Sequence, residues 1–146
     1  MDTASKKTIL VPVDFQEASA VAIAKARELG ARLDLSITLL HVFSIPVVIY
    51  PGFDPILSPE FPEKISKAAE EALNKLAAES GGAATLLRSG DPATEILAAI
   101  GETKPEMVVM GTHGRRGFSH LLLGSVAEQV VRASTAPVLT LHAPSK

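Results

Sequence analysis

The chain has 146 residues, 47% of them hydrophobic and 21% charged, which is typical of a folded domain rather than a disordered segment. Its 14 basic and 16 acidic side chains leave a net charge of −2, which argues against unspecific binding to nucleic-acid phosphates. The absence of cysteine excludes disulfides, thiolate metal sites and cysteine nucleophiles. No apolar run approaches the ~18 residues of a membrane span, and the start does not resemble a signal peptide. We therefore expect a single cytoplasmic domain over residues 1–146.

The first half of the chain alternates between strand and helix patterns. Thr8–Val13 is a β-branched run typical of a strand buried on both faces. Apolar residues recur at helical spacing over 18–29, and Gly30 predicts the end of that helix. Leu35–Val42 predicts a second strand, and Glu60–Ser80 a second helix. The expected apolar stripe of the second helix is Phe61, Ile65, Ala69, Ala72 and Leu76.

The second half continues this alternation. Ala83–Arg88 predicts the third strand, and a helix follows in which Asp91 suits the N-cap and Pro92 the first turn. Glu106–Met110 predicts the fourth strand, and Pro137–Leu141 the last. The expected apolar face of the fourth helix is Leu123, Val126, Ala127, Val130 and Val131.

Strands separated by helices of this length imply right-handed crossovers and a parallel sheet covered on both faces. Five strands and four helices predict a single three-layer α/β domain. In such sheets ligands bind beyond the carboxyl ends of the strands, where the strand order reverses. Candidate site residues therefore follow the strands: Asp14, Val42 and Phe43, Ser89 and Gly90, and the segment from Gly111 onward.

The connection 44–59 is long, apolar and rich in proline, unlike a solvated linker. A structureless loop of this length in a compact domain is usually functional or packed into the core. Packing over a helix end and a lid over a ligand or partner surface therefore remain alternatives.

A glycine-rich segment lies between the fourth strand and the fourth helix, over residues 111–125. Glycines let backbone N–H groups approach an anion, and the start of a helix favours negative charge. Ser125 precedes Glu128 by three residues, which is the spacing of a capping box. Phosphate binding and helix capping are compatible roles for the Ser125 hydroxyl.

The spacing Gly111-x2-Gly114-x9-Gly124-Ser125 resembles the nucleotide-binding signature of the universal stress protein family. Further segments resemble the family in the same order along the chain: Val11–Asp14, Leu40–Val42, Gly90–Pro92 and Pro137–Leu139. The resemblance covers about Lys7 to Leu141. It departs at Gln16, where the family commonly has serine, and this departure bears on how the first helix is capped.

This resemblance implies an ATP-binding domain with an adenine nucleotide alpha hydrolase-like fold and strand order 3-2-1-4-5. Asp14, beside Pro12 and Val13, would contact the nucleoside, and the backbone at Val42 the adenine edge. Mg²⁺ or Mn²⁺ would arrive with the phosphates. The ribose and phosphates would be held by Gly111, Thr112, His113, Gly114, Arg115, Arg116, Gly117, Gly124, Ser125 and Val126.

The resemblance also implies a homodimer joined through Pro137–His142, because family members commonly pair through this strand. An unpaired strand edge gives a physical motive for that pairing. We expect a stress-response or regulatory module that binds ATP and an unknown protein partner, but neither nucleic acid nor membrane. Two alternatives remain: a slow ATP-hydrolysing or adenylyl-transferring enzyme of the same superfamily, and a module that acts through protein partners without ATP.

Overall fold

The computed structural model describes residues 6–45, 51–52, 61–112 and 123–143. Over these ranges the chain forms a five-stranded parallel sheet of order β3-β2-β1-β4-β5 and four helices. The expected three-layer α/β fold and its strand order are confirmed. None of the helices in these ranges has the length and apolar content needed to cross a membrane. The elements are β1 (Thr8–Pro12), α1 (Glu17–Leu33), β2 (Ser36–Phe43), α2 (Phe61–Glu79), β3 (Ala84–Ser89), α3 (Pro92–Thr103), β4 (Met107–Thr112), α4 (Ser125–Ala133) and β5 (Val138–His142).

Two apolar cores lie on opposite faces of the sheet. On one face α1 and α2 cover alternate residues of the central strands, among them Val11 and Leu39. On the other face α3 and α4 cover the intervening residues, among them Leu10 and Leu40. All four of these side chains are essentially inaccessible to water. Burial on both faces explains why β1 has no alternation of apolar and polar residues.

The sequence predicts that the first helix ends at Gly30, but the helix continues past it. α1 continues to Leu33 and ends at Asp34, which takes the left-handed conformation with φ 55°. A Cβ atom on Gly30 would lie 2.8 Å from the carbonyl oxygen of Leu35, where the chain folds back toward β2. Glycine is needed inside this helix because the returning backbone passes close to it.

The apolar stripe of α2 differs from the predicted one in its second half. Ala72 is exposed, whereas Leu73 and Ala77 are buried against the sheet. The predicted Leu76 is partly buried against the same core. The stripe therefore advances by four residues from Ala69, to Leu73, where the prediction had advanced by three, to Ala72.

The fourth helix is shorter than its predicted apolar face. Leu123 lies before the first residue of α4 and packs against the core on the α3 face. Val131, which the pattern placed on the buried face, is 43% exposed, whereas Val130 is fully buried.

Candidate functional site

The carboxyl ends of β1 and β4 lie side by side at the centre of the sheet. The chain leaving β1 enters α1 on one face, and the chain leaving β4 leads to α4 on the other face. The two connections thus diverge from neighbouring strands, which opens a crevice at this edge of the sheet. Five of the sequence-predicted site residues lie at these two strand ends: Pro12, Val13, Asp14, Gly111 and Thr112.

Asp14 forms the turn between β1 and α1. Its Oδ1 accepts hydrogen bonds from the Ser19 hydroxyl at 2.7 Å and from the Gln16 backbone N–H at 2.9 Å. Its own N–H donates to the Ser19 oxygen at 2.9 Å. Gln16 is the N-cap of α1 but makes no side-chain capping bond within the described residues. The Asp14–Ser19 pair therefore orders the entry to α1 in place of a capping side chain at Gln16.

A histidine that the sequence analysis did not assign to the site contacts the same turn. His41 Nδ1 lies 2.7 Å from the carbonyl oxygen of Val13. The imidazole also contacts the ring of Phe15, with 4.5 Å between centroids and an angle of 52° between the ring planes. Phe15 is a non-glycine residue at φ 64°, in the left-handed region. A sequence pattern does not reveal this backbone angle. The one sequence signal for the contact was the position of His41 near the end of a predicted strand.

The backbone of Val42 faces the crevice. Leu40 O accepts from Val13 N–H on the β1 side, whereas Phe43 O accepts from Gly90 N–H on the β3 side. Because successive strand residues direct their polar groups to opposite sides, the N–H and C=O of Val42 point toward β1. The β1–β2 ladder ends at Pro12 opposite Leu40, so these groups lie beyond the last paired residue of β1.

Gly111 and Thr112 are committed to packing at the end of β4. A Cβ atom on Gly111 would lie 2.3 Å from the carbonyl oxygen of Ala18, so α1 crosses β4 at a distance that only glycine permits. Thr112 is 1% exposed, and its hydroxyl lies 2.5 Å from His142 Nδ1 on β5. The Thr112 side chain thus contacts β5.

The start of α4 corrects one prediction. Glu128 N–H donates to Gly124 O at 2.9 Å, which makes Gly124 the N-cap and Ser125 the first helical residue. The capping box expected from Ser125 and Glu128 is therefore absent from this helix start, because the serine lies one position too far along. Glu128 instead pairs with Arg132 at 2.8 Å. The Ser125 side chain is exposed.

A charged cluster lies at the end of β3. Arg88 donates to Glu95 at 2.8 Å and to Glu102 at 2.7 Å, which ties β3 to α3. The hydrogen bonds that Arg88 donates to Glu102 and then to Glu95 raise the pKa of Arg88, and the bond from Arg88 lowers the pKa of Glu102. Asp91 caps α3 as predicted, and its bonds from the Thr94 N–H and hydroxyl lower its pKa. This cluster is structural, since its cation is already shared by two carboxylates.

Part of the predicted site lies outside the described residues, namely His113, Gly114, Arg115, Arg116 and Gly117. Most of the connection 44–59 lies outside them too, and its two alternative roles stay predictions. The described part of that connection includes Ser44, whose hydroxyl donates to Gly90 O at 3.0 Å.

The universal stress protein family model matches residues 6–142 of this chain. A universal stress protein of Methanocaldococcus jannaschii is 33% identical over 147 aligned positions, covering 96% of this chain and 84% of the relative. One from Thermus aquaticus is 38% identical over 147 positions, covering 93% and 98%. A universal stress protein solved in complex with cAMP has a TM-score of 0.64 at 22% identity, covering 97% of this chain and 100% of its own. The chain belongs to the universal stress protein family.

Proposed function

We propose that this protein binds ATP, together with Mg²⁺ or Mn²⁺ on its phosphates, at the carboxyl edge of the sheet between β1 and β4. The observation that carries the proposal is the convergence of three features on that edge. They are the Asp14 turn, the backbone of Val42 beyond the end of the β1–β2 ladder, and the helix start at Gly124 and Ser125. Each belongs to a different part of the sequence, and the strand order 3-2-1-4-5 brings them to one edge of the sheet.

The helix start supports the phosphate end of this proposal. Gly124 has no side chain with which to cap the first N–H groups of α4, and no side-chain cap is present among the described residues, so this helix start is suited to an anion. The helix dipole adds a favourable field for negative charge at the same place. Ser125, with its hydroxyl not used as a cap and next to these donors, is suited to contact a phosphate oxygen. The glycine signature that precedes α4 points in the same direction.

The backbone of Val42 supports a preference for adenine over guanine. A strand backbone offers one N–H donor and one C=O acceptor, which match N1 and the amino group of adenine. Guanine carries an N–H and a carbonyl oxygen at the corresponding positions. A donor would then face the backbone N–H and an acceptor the backbone C=O, so neither hydrogen bond could form. The family member solved with cAMP shows that an adenine nucleotide can occupy this fold.

Binding rather than turnover is the activity that the site favours. Asp14 is the carboxylate at the end of β1, and it is already engaged with Ser19 and Gln16 in forming the turn. A general base must be positioned to accept a proton from the attacking group. The Asp14 carboxylate is suited instead to hold the nucleoside. We therefore propose a regulatory or stress-response module that acts in the cytoplasm with a protein partner.

We further propose that two copies pair through the β5 edge. β5 is the last strand of the sheet, and Leu139 on it is 38% exposed. An unpaired edge that carries an exposed large apolar side chain favours pairing with a second copy around a twofold axis.

Mass spectrometry tests nucleotide binding directly on the purified protein. Native spectra should show the chain with ATP or ADP bound, and heating should release a nucleotide of matching mass. GTP added in equal amount to ATP should not displace it. A chain that takes up no adenine nucleotide from excess ATP and Mg²⁺ would show the proposal to be wrong.

A further inference from the structure

The turn after β1 is held to β2 by a side chain as well as by the backbone. Val13 N–H donates to Leu40 O at 2.8 Å, and Val13 O lies 2.7 Å from His41 Nδ1. A carbonyl oxygen only accepts hydrogen bonds, so the imidazole carries its proton on Nδ1. Both polar backbone groups of Val13 are therefore bonded to neighbouring residues of β2.

The other side of the same turn is held by α1. The Asp14 carboxylate accepts from the Ser19 hydroxyl, and Ser19 is buried in the first turns of the helix. The orientation of Asp14 thus depends on two supports. Ser19 of α1 holds its carboxylate, and β2 holds Val13, the residue before it. The β2 support acts through the peptide that joins Val13 to Asp14.

Phe15 extends the β2 support beyond Asp14. Its φ of 64° is unfavourable for a residue with a large side chain, so the surroundings must hold it in place. Its ring is 41% exposed and contacts the imidazole of His41. The His41 side chain therefore contacts both residues that flank Asp14, namely Val13 and Phe15.

We propose that His41 is the positioning residue of the nucleotide site. Its imidazole holds Val13 and Phe15 so that the Asp14 carboxylate between them is oriented toward the nucleoside. His41 acts through this turn and not by touching the ligand. The inference rests on the proposed binding of ATP. It adds that His41 affects the affinity for ATP without contacting the nucleotide.

Three substitutions at this position separate the hydrogen bond from the bulk of the ring. His41→Asn keeps an N–H donor close to where Nδ1 lies, His41→Gln moves the donor further from the backbone, and His41→Ala removes it. Calorimetric titration with ATP and Mg²⁺ should show binding roughly five- to tenfold weaker for the alanine and glutamine variants. The asparagine variant should recover most of the wild-type affinity. Leu73→Val is the matched control, since it weakens the same core from α2 without touching the turn.

Urea unfolding of every variant separates lost affinity from lost stability. The inference holds if Leu73→Val binds ATP as the wild type does while His41→Ala does not, at temperatures where both are folded. It is wrong if His41→Ala binds ATP as tightly as the wild type, or if His41→Asn is as weak as His41→Ala. If the wild type itself binds no ATP, the proposed function is wrong and the inference fails with it.

Discussion

The backbone of Ala18 lies so close to Gly111 that a Cβ atom on the glycine would be 2.3 Å from the Ala18 carbonyl oxygen. The first turn of α1 thus rests directly on the end of β4. Gly111 opens the family's glycine signature, yet in this structure its contact is with the protein's own backbone. The first glycine of the signature therefore sets the distance between the two connections that border the crevice.

Gly111→Ala should destabilise the fold by about 1–3 kcal/mol, because either α1 or β4 must move to admit the methyl group. Its φ is not in the left-handed region, so the cost comes from the contact and not from backbone strain. Urea unfolding measures the effect.

Gly101→Ala is the matched control for this substitution. Gly101 lies within α3, and a Cβ atom there would meet nothing within 4 Å. Alanine should raise the unfolding free energy by about 0.4–1 kcal/mol, because it restricts the unfolded chain and favours helix. Equal effects of the two substitutions would contradict the close approach of α1 to β4.

Ser125→Ala should separate ligand binding from helix capping. Because Gly124 is the N-cap, loss of the Ser125 hydroxyl should change the unfolding free energy by less than about 0.5 kcal/mol. ATP affinity should nevertheless fall roughly ten- to a hundredfold, as expected when a hydrogen bond to a charged phosphate is lost. Titration and thermal unfolding of the same sample measure both quantities.

Asp91→Ala provides the opposite case. Asp91 caps α3 through the Thr94 N–H at 3.0 Å and lies outside the proposed site. This variant should melt at a lower temperature than the wild type and bind ATP with unchanged affinity. A large loss of stability in Ser125→Ala would mean that the serine caps α4 after all.

The Arg88–Glu102 pair predicts a pH-dependent part of the stability. The hydrogen bond from Arg88 lowers the pKa of Glu102 below its ordinary value of 4.5. A carboxyl whose pKa is lower in the folded state stabilises the fold above its unfolded pKa, and this stabilisation is lost as pH falls through the folded pKa. The wild type should therefore resist urea better than Glu102→Gln near pH 7, and this difference in stability should shrink as the pH is lowered below 4.5 and through the folded-state pKa of Glu102.

Added salt should also narrow that gap, since the Glu102 side chain is 61% exposed. Glu79→Gln is the control, because it removes a carboxylate from α2 without touching Arg88. A gap between wild type and Glu102→Gln that persists unchanged in acid would contradict the ion pair as its source.

Proline substitutions at the two sheet edges test the proposed dimer. Val108 N–H donates to Pro137 O, so the backbone of Leu139 also faces β4, whereas the N–H of Thr140 faces the open edge. Thr140→Pro removes an outward donor while leaving the ladder to β4 intact, and proline is tolerated at such edge positions. Light scattering should show a monomer for this variant and a dimer for the wild type.

Thr85→Pro is the equivalent change at the opposite edge. Gly90 N–H donates to Phe43 O, so by the same alternation the N–H of Thr85 on β3 faces outward. This variant should remain a dimer. A wild type that is already monomeric at micromolar concentration, or a Thr85→Pro variant that alone loses the dimer, would contradict pairing through β5.

The fold could be predicted from the sequence because its signals are local and repeated. Strands buried on both faces need unbroken apolar runs such as Val108–Met110, and Asp91 with Pro92 marks a helix start chemically. The predicted helix end at Gly30 was wrong, because the reason for that glycine is a contact with Leu35 after the helix has ended. A residue type shows that a position is special without showing which neighbour makes it so.

The sequence predicts the location of the site through the strand ends and through the resemblance to the universal stress protein family, but not the contacts within it. Asp14 and Val42 lie where a parallel sheet brings strand ends together, so their neighbourhood follows from topology. The contact between Phe15 and His41 depends on a left-handed backbone angle and on neighbours far apart in the chain, which no periodicity encodes. Similarly, the Ser125 spacing matched a capping box, but the helix begins one residue earlier than that motif requires.

Calorimetric titration of the wild-type chain with ATP and Mg²⁺, alongside GTP under the same conditions, tests nucleotide binding most directly. Saturable binding of ATP, with GTP weaker, is the result expected from the backbone of Val42 and the start of α4. An absence of heat and of saturation with ATP at millimolar concentration would contradict the proposed function and leave only the fold.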